Sequence, residues 1–341
     1  MASPERILKA LRGLVCVYKP VDIQLNSFKK TILNRIVEEC NLVLPQAEQK
    51  IIDYPLVEEN ENGALVIVGS RRQRDYCHDP LVVGSSFRVE DIRMDEYTSM
   101  EATTSGVCLF GINEGCDLLP QIRDNAWSST YRLEGTLGKK TRENLIKGRV
   151  TETAEFESIS RGKVQKLFGK ILSNFRRLSF ELSGIDPQSE TVFELARRGI
   201  PRPSVPGQLL MHRLELVIWK PPYFAIELSC SGETDATLRN FVNEIGLSLG
   251  TLASPVRLTR RGIGRFQAEN ALLSKQLNLQ NFVRNIALNH EILLNHRRNT
   301  SPIFEETKPK ELERKVIDAI GLRSQSEPLD AMKPYWKREY N

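Results

Sequence analysis

Four arginines fall within nine positions, Arg257, Arg260, Arg261 and Arg265, with Gly262 and Gly264 between them. Guanidinium forks match phosphate oxygens and glycine lets the main chain approach a ligand closely, so this turn has the chemistry of a phosphate clamp. The same charges would also suit a solvated surface loop. Metal and disulfide chemistry is poorly supplied. The six cysteines (Cys16, Cys40, Cys77, Cys108, Cys116, Cys230) include no pair at zinc-knuckle spacing and are too sparse for a disulfide framework in 341 residues. They read as reduced thiols. His78, His212, His290 and His296 offer no i, i+4 metal pair, so a metal-free mechanism is expected.

The elements that must hold such a clamp follow from periodicity. Gly13 to Tyr18 is a short β-prone run stopped by Lys19-Pro20. A helix is expected from Asn26 or Ser27, with Phe28, Ile32, Leu33, Ile36 and Val37 on one face. Between Pro45 and Phe87 the pattern is irregular, with one strand-like run at Ala64 to Val68, and this stretch reads as an insertion. Strands are expected at Thr103 to Ile112 and Tyr131 to Leu137, and helices at Glu155 to Phe168 and Val192 to Arg198. Leu209 to Trp219 and Tyr223 to Cys230 make a hairpin through Lys220-Pro221-Pro222. Asp235 to Leu249 is the clearest helix, with Asp235 as candidate cap and Leu238, Phe241, Val242, Ile245 and Leu249 on one face. Strands and helices mix without regular βαβ alternation, so the fold class is α+β.

Composition sets the outer limits. Charged residues are 27% and the hydrophobic set 40%, ordinary values for a globular protein. The formal charge of +5 favours a nucleic-acid partner only weakly, because phosphate affinity depends on where cations cluster. No apolar run approaches the ~20 residues of a membrane-spanning helix. Residues 1–12 form a short basic amphipathic segment, compatible with mitochondrial targeting or with a first helical turn leading into the first strand. Residues 13–285 read as one domain, and residues 286–341 as a basic, mostly disordered tail with one short helix.

The order of segments resembles the TruB family of pseudouridine synthases, in particular its mitochondrial branch. Leu14 to Pro20 fits the opening strand ending in Lys-Pro, and Tyr97 to Val107 fits the catalytic segment, which reads roughly Gly-His-x-Gly-x-Leu-Asp-x-x-Ala-Thr/Ser-Gly-Val-Leu. Ser129-Thr130-Tyr131 with Leu137-Gly138 and Thr141 is similar to the next family segment, and Phe193 to Gly199 to Tyr-Glu-Leu-Ala-Arg-x-Gly. Asp235-Ala236-Thr237-Leu238-Arg239 stands where the family has Gly-Thr-Tyr-Ile-Arg, and Leu258 to Phe266 where it has Leu-Arg-Arg-Thr-x-x-Gly-x-Phe.

The resemblance implies a pseudouridine-synthase-type sheet, mixed and largely antiparallel, flanked by helices around an RNA-binding cleft. It also implies roles. Glu101 takes the position of the reacting aspartate, Tyr131 that of the tyrosine packed on the base, and Arg239 that of the carboxylate's partner. Leu258 becomes an apolar wall, Thr237 stands for a second tyrosine, and Thr98 for the motif histidine. Arg260, Arg261 and Lys19 complete the substrate-binding set. The family works without a cofactor or metal. Asp91 and Asp95 are the substitute acids if the alignment slips.

Two functions follow from these departures. One is uridine isomerisation in mitochondrial RNA, mRNA before tRNA or rRNA, by a degenerate site in the matrix. The other is a catalytically silent RNA-binding homologue acting in mitochondrial RNA or ribosome assembly, with ribosome-assembly proteins as partners. Cytoplasm and nucleus are the alternative compartments. No second RNA-binding domain of the bacterial kind is legible in the tail, which turns the expectation from the tRNA elbow toward mRNA. A scaffold binding proteins through that tail is a third, blander reading.

Overall fold

The computed structural model describes residues 4–44, 51–60, 62–75, 77, 82, 84–124, 127–182 and 209–300. In chain order these hold α1 (Pro4–Ala10), β1 (Gly13–Lys19), α2 (Leu25–Val43), β2 (Ile51–Glu59), β3 (Leu65–Arg74), β4 (Met94–Glu96), β5 (Thr104–Ile112) and α3 (Leu118–Asp124). Next come β6 (Ser129–Leu137), β7 (Lys139–Thr141), β8 (Val150–Thr153) and α4 (Arg161–Leu182). The series closes with β9 (Leu210–Lys220), β10 (Tyr223–Ser231), α5 (Asp235–Ser248), β11 (Ala253–Ile263), β12 (Phe266–Gln267) and α6 (Leu279–Thr300). The expected helix at Val192 to Arg198, the Phe193 to Gly199 segment and residues 301–341 of the tail lie outside the described residues.

The main sheet has eight strands in the order β1-β5-β11-β6-β10-β9, with β4 on β5 and β12 on β11. Only the central β5–β11 pair is parallel, Leu258 lying opposite Thr104 and Arg260 opposite Gly106; the other pairs are antiparallel. The α+β, largely antiparallel architecture expected from the sequence is therefore the one observed. Strand period accounts for its layers: Val15 and Val17 of β1 face one core with Cys108, Phe110 and Ile112, whereas Leu14 and Cys16 face another with Val107 and Leu109. A third core lies under α4 and α5, where Leu238, Phe241, Val242 and Ile245 pack on Leu133, Ile226 and Leu228.

Several boundaries depart from expectation. The helix expected at Glu155 to Phe168 starts at Arg161 and runs to Leu182, because Ile171, Leu172 and Phe175 extend the apolar stripe through a basic surface. The tail expected from residue 286 is helical to Thr300. Its reason is the sheet edge: Asn285 Oδ1 accepts from Cys16 N at 2.8 Å, and Asn289 Nδ2 donates to the Leu14 carbonyl at 2.9 Å, so α6 covers the outer side of β1. The insertion contains a two-stranded hairpin of its own, β2 with β3, with Ile51, Leu65 and Ile67 exposed. All six cysteines are free, Cys77 exposed and the rest buried, with burial pushing the Cys116 thiol up to about 11.

The N-terminal segment is part of this core. Ile7 and Leu11 are fully buried against α2, β1 and α6. Leu11→Ala is expected to cost about 2–5 kcal/mol, read as a shift of the urea midpoint. A cost below about 0.5 kcal/mol would show that residues 4–11 merely rest on the domain.

Candidate active site

Three cations are buried where β1, β5 and β11 meet. Lys19, at the end of β1, is 0% exposed, and its ammonium spends all three protons on carbonyls: Thr104 at 2.7 Å, Pro20 at 3.0 Å and Ala102 at 3.2 Å. Burial pushes its pKa below the ordinary lysine range. Arg260 on β11 is 1% exposed and donates to the Val107 carbonyl at 2.7 Å and the Thr98 hydroxyl at 2.6 Å. Arg239, on the first turns of α5, is buried and pairs through Nη1 with Glu101 Oε2. These contacts fix the turn at residues 98–104 that leads into β5.

The Gly106 of Ser105-Gly106-Val107 has a specific task there. Its φ is +125°, and a Cβ on it would stand 2.7 Å from Arg260 N, so only glycine lets the parallel strands meet at this register. Opposite, Tyr131 on β6 is 2% exposed, and its hydroxyl donates to Glu233 Oε1 at 3.1 Å. Burial pushes that phenol's pKa well up, so it stays a donor.

Tyr131, Arg260, Thr98, Glu233, Asp235 and Arg123 line a cavity of about 310 Å³. Arg123 shapes its mouth by donating to the Tyr97 carbonyl at 2.8 Å and the Glu96 carbonyl at 2.9 Å. Glu101 does not line the cavity; it joins it through Asp235, whose Oδ2 accepts from Glu101 N at 2.6 Å. The Glu101 side chain is 44% exposed.

Of the expected site residues, Glu101, Arg239, Tyr131, Arg260 and Lys19 come together. Lys19 is buried on main-chain carbonyls, and Arg260, which lines the cavity, is buried on the Val107 carbonyl and the Thr98 hydroxyl. Leu258 is packed in the core beside Tyr131 and Leu133 and forms no wall of the cavity. Thr237 faces a second, apolar groove between α4 and α5, and its hydroxyl donates to the Thr234 carbonyl at 2.8 Å. Arg261 is half-buried, and Arg257 and Arg265 are exposed, so the four-arginine cluster divides between interior and surface.

Sequence reasoning missed Glu233 and Arg123 and took Asp235 for a cap. Thr234 is the cap, its hydroxyl accepting from Thr237 N, which leaves the Asp235 carboxylate for the turn. The visible signal was Asp235 and Arg239 at i, i+4, opposite charges on one helical face.

Arg260→Met strips the donor from a buried carbonyl and a hydroxyl and is expected to lower stability by about 3 kcal/mol, read in urea unfolding. An unchanged midpoint with weakened nucleic-acid binding would return Arg260 to the role of a phosphate clamp.

Residues 99–235, from the turn through the start of α5, match the TruB family pseudouridylate synthase (N terminal domain). The chain is 28% identical over 276 residues to the human "Pseudouridylate synthase TRUB2, mitochondrial", covering 80% of this chain and 82% of the relative. The mouse "Pseudouridylate synthase TRUB1" is 28% identical over 178 residues, 51% of each chain. Among solved structures, the archaeal box H/ACA sRNP Nop10-Cbf5 complex superposes with a TM-score of 0.43 at 12% identity, over 82% of this chain and 60% of that one. The segment from the turn before β5 to the start of α5 thus matches the TruB family model, and four fifths of the sequence is similar to mitochondrial pseudouridylate synthases of that family.

Proposed function

We propose that the protein isomerises uridine to pseudouridine in mitochondrial RNA, mRNA being the expected class, with Glu101 as the reacting carboxylate. The observation that carries this reading is the Glu101–Arg239 pair, joined through Asp235 to a cavity walled by Tyr131. The cavity's volume of about 310 Å³ lies at the small end of the ~300–1,000 Å³ typical of small-molecule sites, which suits one nucleotide flipped from its stack. The isomerisation breaks the N1–C1′ bond, forms a C5–C1′ bond, removes a proton from C5 and delivers one to N1. No electrons are gained or lost, so a carboxylate acting as nucleophile or base suffices, with Arg239 orienting it and Tyr131 supporting the base.

Support for an RNA partner comes from α4. Between Arg161 and Phe180 it carries Arg161, Lys163, Lys166, Lys170, Arg176 and Arg177, all exposed, and no acid. Lys163, Lys166, Lys170 and Arg177 fall within an arc of about 60° and span about 21 Å, a row suited to a phosphate backbone. The mitochondrial setting follows the relatives named as mitochondrial.

One observation favours the silent RNA-binding reading. The longer Glu101 replaces an aspartate, Thr98 is engaged by Arg260, and Thr237 is committed to the cap, so three positions have left the family pattern. The purified full-length protein on a uridine-containing RNA separates the two. Glu101→Ala is expected to lower pseudouridine formation by about 10²–10⁴-fold while RNA affinity stays within a factor of two. Undiminished turnover in Glu101→Ala refutes the catalytic role, and RNA binding without turnover by the wild type establishes the silent homologue.

A further inference from the structure

Helix α5 holds residue 101 at two points. Arg239 takes the Glu101 side chain, and the Asp235 carboxylate takes the Glu101 main-chain N–H at 2.6 Å. The two residues lie at i, i+4, on one face of the helix. Asp235 is buried, and its own helix does not use it, because Thr234 satisfies the N-terminal amide of Thr237. The bond is charge-assisted, the stronger kind, and its acceptor belongs to a buried residue.

The other side of the turn is held as firmly. Lys19 grips the carbonyls of Ala102 and Thr104, and Asp22 N donates to the Ala102 carbonyl at 2.8 Å. With the main chain fixed on both sides, where the carboxylate of residue 101 arrives depends on side-chain length and rotamer. A glutamate reaches one methylene further than an aspartate. The position of Asp235 is also one at which the family pattern quoted above has glycine, with no side chain to hold a turn.

We infer that Asp235 is a positioning residue: it sets the main chain of residue 101 at the separation from Arg239 that a glutamate spans and an aspartate does not. This rests on the reading of Glu101 as the reacting carboxylate. The two departures, a longer acid at 101 and a carboxylate at 235, act as one adjustment.

The test uses the full-length protein with two readouts, hydrogen exchange of the Glu101 amide and single-turnover pseudouridine formation on RNA. Asp235→Ala should speed exchange at Glu101 by about 10- to 100-fold, the worth of a hydrogen bond to a charged group. It should also slow turnover by about 100-fold, as a displacement near 1 Å does, with RNA affinity unchanged. Asp235→Asn keeps a carbonyl acceptor and should restore both. Glu101→Asp should lose turnover about as far as Asp235→Ala does. Should Asp235→Ala fail to fold, Asp235→Glu moves the acceptor by a methylene and is read in the same way. Unchanged exchange in Asp235→Ala overturns the inference whatever the turnover, and so does unchanged turnover, or a fully active Glu101→Asp, when the wild type is active. Lost protection in a protein whose wild type makes no pseudouridine leaves the main-chain grip standing and removes the catalytic reading instead.

Discussion

The centre of this molecule is organised by the cost of burying Lys19, Arg239 and Arg260. A buried charge without partners is strongly unfavourable, so each cation imposes a geometry on its surroundings. Lys19 gathers three carbonyls around the end of β1, Arg260 ties β11 to Val107 and Thr98, and Arg239 draws Glu101 toward α5. The turn at 98–104 has a defined shape because all three act on it or beside it. Gly106 is required for the same reason, since the close approach of β5 and β11 is what brings Arg260 beneath the turn.

From that anchoring the candidate site follows. The half-exposed carboxylate is carried on a braced main chain, its cation comes from a helix packed into the core, and the adjoining cavity is walled by a tyrosine that the sheet holds rigid. Preorganisation of this kind is what the isomerisation proposed above would draw on. The basic surface of α4 lies outside this framework, and its exposed row of lysines and arginines does not engage the interior charges.

Much of this was legible in the sequence, and the exceptions have physical causes. Period-2 and period-3.6 patterns located β5, the β9–β10 hairpin and α5 to within a residue or two, since each buries a strict face. The extent of α6 was hidden because Asn285 and Asn289 are polar by type yet buried by their bonds to β1, so a helix covering a sheet edge read as tail. The extension of α4 beyond Phe168 was hidden by the basic residues that intersperse its apolar stripe. At the site, no local pattern shows that Lys19 is spent on three carbonyls, or Arg260 on the Val107 carbonyl and the Thr98 hydroxyl. Asp235 read as a cap because Thr234 one position earlier caps equally well, and only the fold shows which of the two is free to reach Glu101.

The claim that the carboxylate at 101 does the chemistry is tested most directly by mapping pseudouridine across mitochondrial RNA from cells carrying only Glu101→Ala, beside wild type and a null. The account predicts that the sites lost in the null are also lost in Glu101→Ala. Sites retained in Glu101→Ala but absent from the null would contradict it.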